Sequence, residues 1–176
     1  MDADYYDIDD ILAEGEKVPC KFNLTVPGLG YLEGNPGKAI QKDSVVELPL
    51  WLASVLAICE ISEESSQRFI DLLEPPFFNA KVLNALKTSA ASVDLHAITS
   101  NFYKMTEKWA SMFDDEELVE MIKQSFKDRA FEINNYANNT TRHINNDFMS
   151  SLDEYEKYLF KVSSDSHKKM KTWIQE

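Results

Sequence analysis

VDLHAITSNFYKMTEKWASMF, residues 93–113, places Leu95, Ile98, Phe102, Met105, Trp109 and Met112 at intervals of 3, 4, 3, 4 and 3. That spacing returns to one side of a 3.6-residue helix at every turn and predicts a helix over 93–113 with an apolar seam. Downstream, Asp114-Asp115 offers side-chain oxygens to cap a new helix, and Val119, Ile122, Phe126, Ala130, Ile133 and Ala137 carry a second stripe to about residue 138. A polar connection, NNTTRHINN at 138–146, precedes a third long helix over 147–174 with Phe148, Leu152, Tyr155, Leu159, Val162, Met170 and Trp173 on one stripe. Three long helices with apolar seams argue a bundle.

Upstream, Pro76 to Lys87 reads as a short helix, and Glu74-Pro75-Pro76 marks a boundary because a residue before proline is pushed out of the helical region. The chain ahead of it differs in kind. All five glycines lie there, and residues 1–74 hold 15 acidic and 5 basic side chains, a net of −10, against 15 and 13, a net of −2, from residue 75 onward. Asp7 to Ala13 reads as a short helix stopped near Gly15. Val18 to Val26 reads as a strand, with Pro19 arguing for an edge or a strand start. Pro27 to Gly37 is a loop of tight turns, and Lys42 to Leu48 is a second short strand. Leu48 to Ile61, LPLWLASVLAICEI, is apolar on almost every face, with Pro49 suited to a first helical position. The fold class read from these patterns is α+β, mainly α: a small β-rich module over 1–74, with one apolar helix, followed by a helical bundle over 75–176.

The 176 residues suffice for a core, and 44% apolar and 27% charged residues are globular values. A net charge of −12 would repel a phosphate backbone, so no direct tight nucleic-acid binding is expected. The acidic start MDADYYDIDD is unlike a signal peptide, no run is long enough to cross a membrane, and a cytosolic or nuclear protein is expected. In such a reducing compartment Cys20 and Cys59 are expected to be free and mostly buried.

Tests for chemistry fail on mechanical grounds. The glycine loop has Glu33 where a dinucleotide fingerprint needs its third glycine, and Leu32 and Ala39 where a P-loop ending at Gly37-Lys38 needs Gly and Ser or Thr. An acidic loop counted from Asp7 has Leu12 and Val18 where a calcium site needs Gly and a bidentate acid. His96, His143 and His167 lie 47 and 24 residues apart without zinc spacing. No catalytic residue, cofactor or metal site is therefore expected. What stands out is surplus apolar surface, in Pro49 to Ile61, Phe77-Phe78, Met105, Trp109, Phe131 and Trp173. It marks either cover by the chain's own first module or an obligate interface.

Four strings taken together, YYDIDDILAEGEKVPCKF (5–22), PGLGYLEGNPG (27–37), LPLWLASVLA (48–57) and VDLHAITSNFY (93–103), resemble the GINS family of eukaryotic DNA replication, in its Psf-three branch. The resemblance runs from about Tyr5 to the C-terminus. It implies a small β-rich module before a helical domain, no enzymatic activity and nuclear location. It also implies assembly with three other GINS subunits, contact with the MCM helicase and its Cdc partner in the CMG helicase, and indirect coupling to polymerase epsilon. The apolar positions Trp51, Val55, Ile98, Phe102, Met105 and Trp109 then become candidate subunit contacts, and Asp9 and Asp10 a candidate surface for helicase partners. Without the resemblance, a helical adaptor outside replication or an enzyme with an unfamiliar site would share the composition.

Overall fold

The computed structural model describes residues 6–62, 65–138 and 146–175. The chain forms two compact units, 1–79 and 80–176. The Pro75-Pro76 pair does not end the first unit. It opens a 3₁₀ turn, Pro76–Phe78, whose Phe78 is buried, and the division falls at Asn79.

In the first unit, α1 (Ile8–Gly15) begins at Asp7, whose carboxylate accepts the Asp9 N–H. A three-stranded antiparallel sheet follows in the order β2-β1-β5, from β1 (Lys17–Phe22), β2 (Val45–Pro49) and β5 (Ile70–Leu72). Val18, Cys20, Phe22, Val46, Leu48 and Ile70 are buried, following the two-residue side-chain period. β1 is the central strand and ends at Phe22, so the edge position inferred from Pro19 is incorrect. The ladder tolerates the proline because Pro19 lies just beyond its end rung with β5, Cys20 opposite Leu72. The Pro19 carbonyl accepts the Leu73 N–H at 2.9 Å, and only the return bond is missing. Between β1 and β2, the Val26–Ile40 bridge closes the glycine loop, and the 3₁₀ turn Gly30–Glu33 lies within it. A Cβ on Gly30 would meet the backbone oxygens of Asn35 and Lys38, the latter at 2.6 Å, so the close backbone approach itself requires glycine.

α2 (Leu50–Ile58) starts one residue after Pro49, which ends β2 and caps the helix instead of entering it. The helix stops at Cys59 because β3 (Glu60–Ser62) and β4 (Ser65–Arg68) take over as an antiparallel pair. These strands and β5 were not read from the sequence.

The second unit is helical, but with more breaks than periodicity indicates. The Pro76–Lys87 helix is in fact the 3₁₀ turn above plus α3 (Ala80–Ser89), followed by a 3₁₀ turn at Ala90–Ser92. The single 93–113 helix is α4 (Leu95–Ile98) and α5 (Phe102–Phe113), interrupted by extended backbone at Thr99. Asp94 caps α4 through the Ala97 N–H at 2.9 Å. α5 ends on Asp114 in the left-handed region, and Asp115 alone caps α6 (Glu116–Asn138), accepting the Leu118 N–H at 3.0 Å. The 147–174 helix is likewise α7 (Asn146–Ser150) and α8 (Glu154–Gln175), divided at Ser151–Asp153. The connection expected at 138–146 falls largely outside the described residues. α5 packs on α6, and α6 packs along α8.

Candidate interaction surfaces

The two breaks in the helical unit meet. The Ser151 carbonyl accepts the Leu95 and His96 N–H groups at 3.0 and 3.3 Å, the Ser100 carbonyl accepts the Glu154 N–H at 3.1 Å, and the Asp153 carboxylate accepts the Tyr103 N–H at 3.0 Å. N–H groups at the starts of α4, α5 and α8, which lack intrahelical partners, are thus satisfied across these breaks.

A buried ion pair locks this junction. Arg129 and Glu156 have fully buried side chains, and the guanidinium grips the carboxylate through Nε at 2.7 Å and a terminal nitrogen at 2.8 Å. Arg129 also donates to the carbonyls of Ala90 and Val93, both at 2.8 Å, and of Ser151 at 3.3 Å. Glu156 in turn accepts the Tyr103 hydroxyl at 2.9 Å and the Asp153 N–H at 3.2 Å. Asp153 and Glu156 are the first and last residues of a capping box on α8. Burial disfavours charge on Arg129, but its bond to Glu156 outweighs this and holds its pKa above the ordinary value. Burial, reinforced by Glu156, pushes the Tyr103 hydroxyl far up. Asp153, buried and beside the Glu156 charge, is pushed up to about 6 despite the backbone N–H groups that favour its ionised form. The groups of this constellation bond one another and nearby backbone. Among the described residues no three His, Cys, Asp or Glu side chains gather as a metal site would require, and no helix is long and apolar enough to cross a membrane.

The apolar surface lies elsewhere. α2 turns Leu50 and Ala53 inward and presents Trp51, Val55 and Ile58, at 53%, 56% and 80% exposure, on its outer side at helical spacing. Among the described residues, none covers this outer side of α2. α1, packed beside α2, exposes Ile8, Ile11 and Leu12. In the second unit the outer half of α8 exposes Tyr158, Val162, Met170, Trp173 and Ile174. There α6 and α8 frame a groove of about 480 Å³, lined in part by Ile133, Leu159 and Met170, in which His167 Nε2 has no hydrogen-bond partner among the described residues.

Residues 6–58 match the family model for the PSF3 N-terminal domain, and residues 77–175 match that for the GINS complex protein helical bundle domain. The chain is 62% identical over 176 residues, covering both chains completely, to "DNA replication complex GINS protein PSF3" of Debaryomyces hansenii. The chain belongs to the PSF3 family of GINS proteins. Relatives of the same description in Candida albicans and Saccharomyces cerevisiae are 49% and 40% identical, over 99% and 97% of each chain. Family membership therefore covers both units.

Within this PSF3-family chain the eight residues proposed from sequence separate into groups. Trp51 and Val55 are exposed on α2, Asp9 is exposed on α1, and Asp10 and Ile98 are half-buried. Phe102, Met105 and Trp109 offer no surface to a partner, because the chain's own core buries them. Trp109 packs its ring on Phe113 at a 4.6 Å centroid distance, and Phe102 packs on Tyr103 at 5.7 Å. The expectation for the cysteines is half corrected: both are free and Cys20 is buried, yet Cys59 is exposed, since α2 ends there before the β3 strand. Arg129, Asp153 and Glu156 were missed, although D-x-x-E at 153–156 ahead of an apolar helix is a capping-box signal.

Proposed function

We propose that the chain is a non-enzymatic structural subunit of a GINS assembly, present in one copy with three other GINS subunits in the nucleus. It works there as part of the CMG helicase, touching MCM and its Cdc partner, and is coupled indirectly to polymerase epsilon. The observation that carries the reading is the apolar outer side of α2, with Trp51, Val55 and Ile58 bare to water inside the segment matched as a PSF3 N-terminal domain. Such a row on an ordered helix supports burial against a partner. Tryptophan is among the residues enriched where truncation costs more than about 1 kcal/mol of binding, which makes Trp51 the main anchor of this row.

The test is co-expression of the tagged chain with the other three GINS subunits. The wild-type chain should recover all three in equal amounts, whereas Trp51→Asp with Val55→Asp should lose at least one while the isolated chain keeps its helical circular dichroism. Equal recovery by the double variant would remove α2 from the interface. A wild-type chain that elutes as a lone monomer in the presence of the other three would refute assembly itself.

A further inference from the structure

Five serines in the sequence have an acidic residue three positions downstream: Ser44, Ser111, Ser125, Ser150 and Ser151. A serine kinase with a basic substrate groove reads such charge C-terminal to the acceptor, so the pattern becomes a site only where acceptor and charges all reach solvent. The fold separates the five. Ser125 is buried in α6, and Ser44 is half-buried at the start of β2 with one acidic residue following. Ser150 is exposed, but the acid that would mark it, Asp153, is sealed in the Arg129 junction. Ser151 is half-buried, and its Glu154 is held by Lys157 at 2.7 Å.

Ser111 differs in exposure and in its third-position acid: Asp114 reaches solvent, while Asp115 caps α6 and Glu117 pairs with Lys87 at 3.3 Å. It lies in the last turn of α5, and every residue from Ser111 to Glu117 is exposed. Asp114, Asp115, Glu116 and Glu117 occupy the third to sixth positions after it. The last carbonyls of a helix lack intrahelical partners, and α5 already leaves the helix at Asp114, whose φ is 53°. Opening the segment into a kinase groove frays the last turn of α5 and releases the Asp115 cap and the Lys87–Glu117 pair at the start of α6. Ser111 Oγ donates only to the Glu107 carbonyl at 2.8 Å, which leaves the oxygen's lone pairs free.

We propose that Ser111 is a phosphoacceptor for an acid-directed protein serine kinase. In the transfer, Ser111 Oγ attacks the γ-phosphorus of ATP and forms the new O–P bond. The bond to the β-phosphate oxygen breaks with ADP leaving, and the hydroxyl proton passes to the kinase's base. The product adds about −1.5 to −2 charge at the negative pole of α5 beside four carboxylates, an arrangement that loosens a turn instead of ordering it. The inference stands independently of GINS assembly, since it uses only the α5–α6 turn.

The test treats the full-length chain, alone and co-purified with its partner subunits, with ATP and an acid-directed serine kinase, and maps the phosphate by mass spectrometry. One phosphate on Ser111 in both samples is expected. Ser111→Ala should abolish it, and Asp114→Asn, which retains a residue that tolerates the left-handed conformation, should slow it about tenfold with the melting temperature kept. No phosphate on Ser111, phosphate on Ser44 or Ser150 in its place, or an Asp114→Asn chain modified at the parent rate would each overturn the proposal.

Discussion

Replacing Arg129 with Met keeps most of the side chain's volume and removes its charge and all five of its donated hydrogen bonds. Two of those go to the Glu156 carboxylate at 2.7 and 2.8 Å. Hydrogen bonds to an ion contribute about 1.5–3 kcal/mol each. Without them Glu156 keeps only the Tyr103 hydroxyl and the Asp153 N–H in a fully buried position. Breaking one side of a buried ion pair costs about 3–5 kcal/mol, and that is the expected loss for Arg129→Met. Of the three carbonyls, Ala90 keeps the Val93 N–H and Ser151 keeps the Leu95 N–H, so new orphaning falls mainly on Val93. Arg129→Met combined with Glu156→Leu removes both charges and should cost clearly less than the two single changes added, with a coupling of at least about 2 kcal/mol. Urea unfolding of the full chain, followed by helical circular dichroism, measures all four species. A single variant within about 1 kcal/mol of the parent, or strict additivity, would show that the junction is held by packing and not by the pair.

Three further outcomes follow from the same geometry. The folded pKa of Asp153, about 6, exceeds its ordinary value of 3.8, so the folded chain takes up this proton first as pH falls. This group's contribution to stability therefore grows by about 1.4 kcal/mol between pH 7 and pH 5, and Asp153→Asn should erase that increment in urea titrations at the two pH values; an undiminished increment would place it on other groups. Alkylation of the native chain should add one label, at Cys59, with Cys20 reacting only on unfolding because burial pushes its thiol up to about 11; intact mass showing two equal rates would contradict the burial. Asp9→Lys with Asp10→Lys reverses charge in the first turn of α1, where acids favour the helix dipole, and should cost about 0.3–1 kcal/mol per site while the assembly survives. If α1 faces a basic helicase surface, association should slow at low salt; an unchanged on-rate across a salt series would exclude that contact.

Much of the second unit was legible, for a reason visible in Leu95, Phe102, Met105 and Trp109. All four are buried, as their spacing requires. The interruption at Thr99–Asn101 escaped the same reading because the residues on both sides face one core, so apolar periodicity runs through a break as smoothly as through a helix. Thr, Ser and Asn there, and Ser and Asp at 151–153, were the local signals, since their side chains compete for backbone groups. The strands at 60–72 were illegible because Ser, Glu and Gln dominate β3 and β4 without alternation. For the interface, apolar character at Trp51 and at Trp109 is the same in sequence. Only the tertiary arrangement buries one and bares the other, which is why an acidic substitution at Trp109 would report on folding and one at Trp51 on assembly.

The paired interruptions also set an order of events for the nascent chain. Tyr103 and Asp153, joined across the junction, are 50 residues apart in sequence. Until that loop closes, the Ser100 carbonyl and the Tyr103 and Glu154 N–H groups lack the partners they have across the junction, while Asp153 and Glu156 can already bond each other locally. The bonds that join the two bends therefore form together, when the 103–153 loop closes. A kinetic barrier of this origin scales with the length of chain between the two bends and not with the strength of either helix.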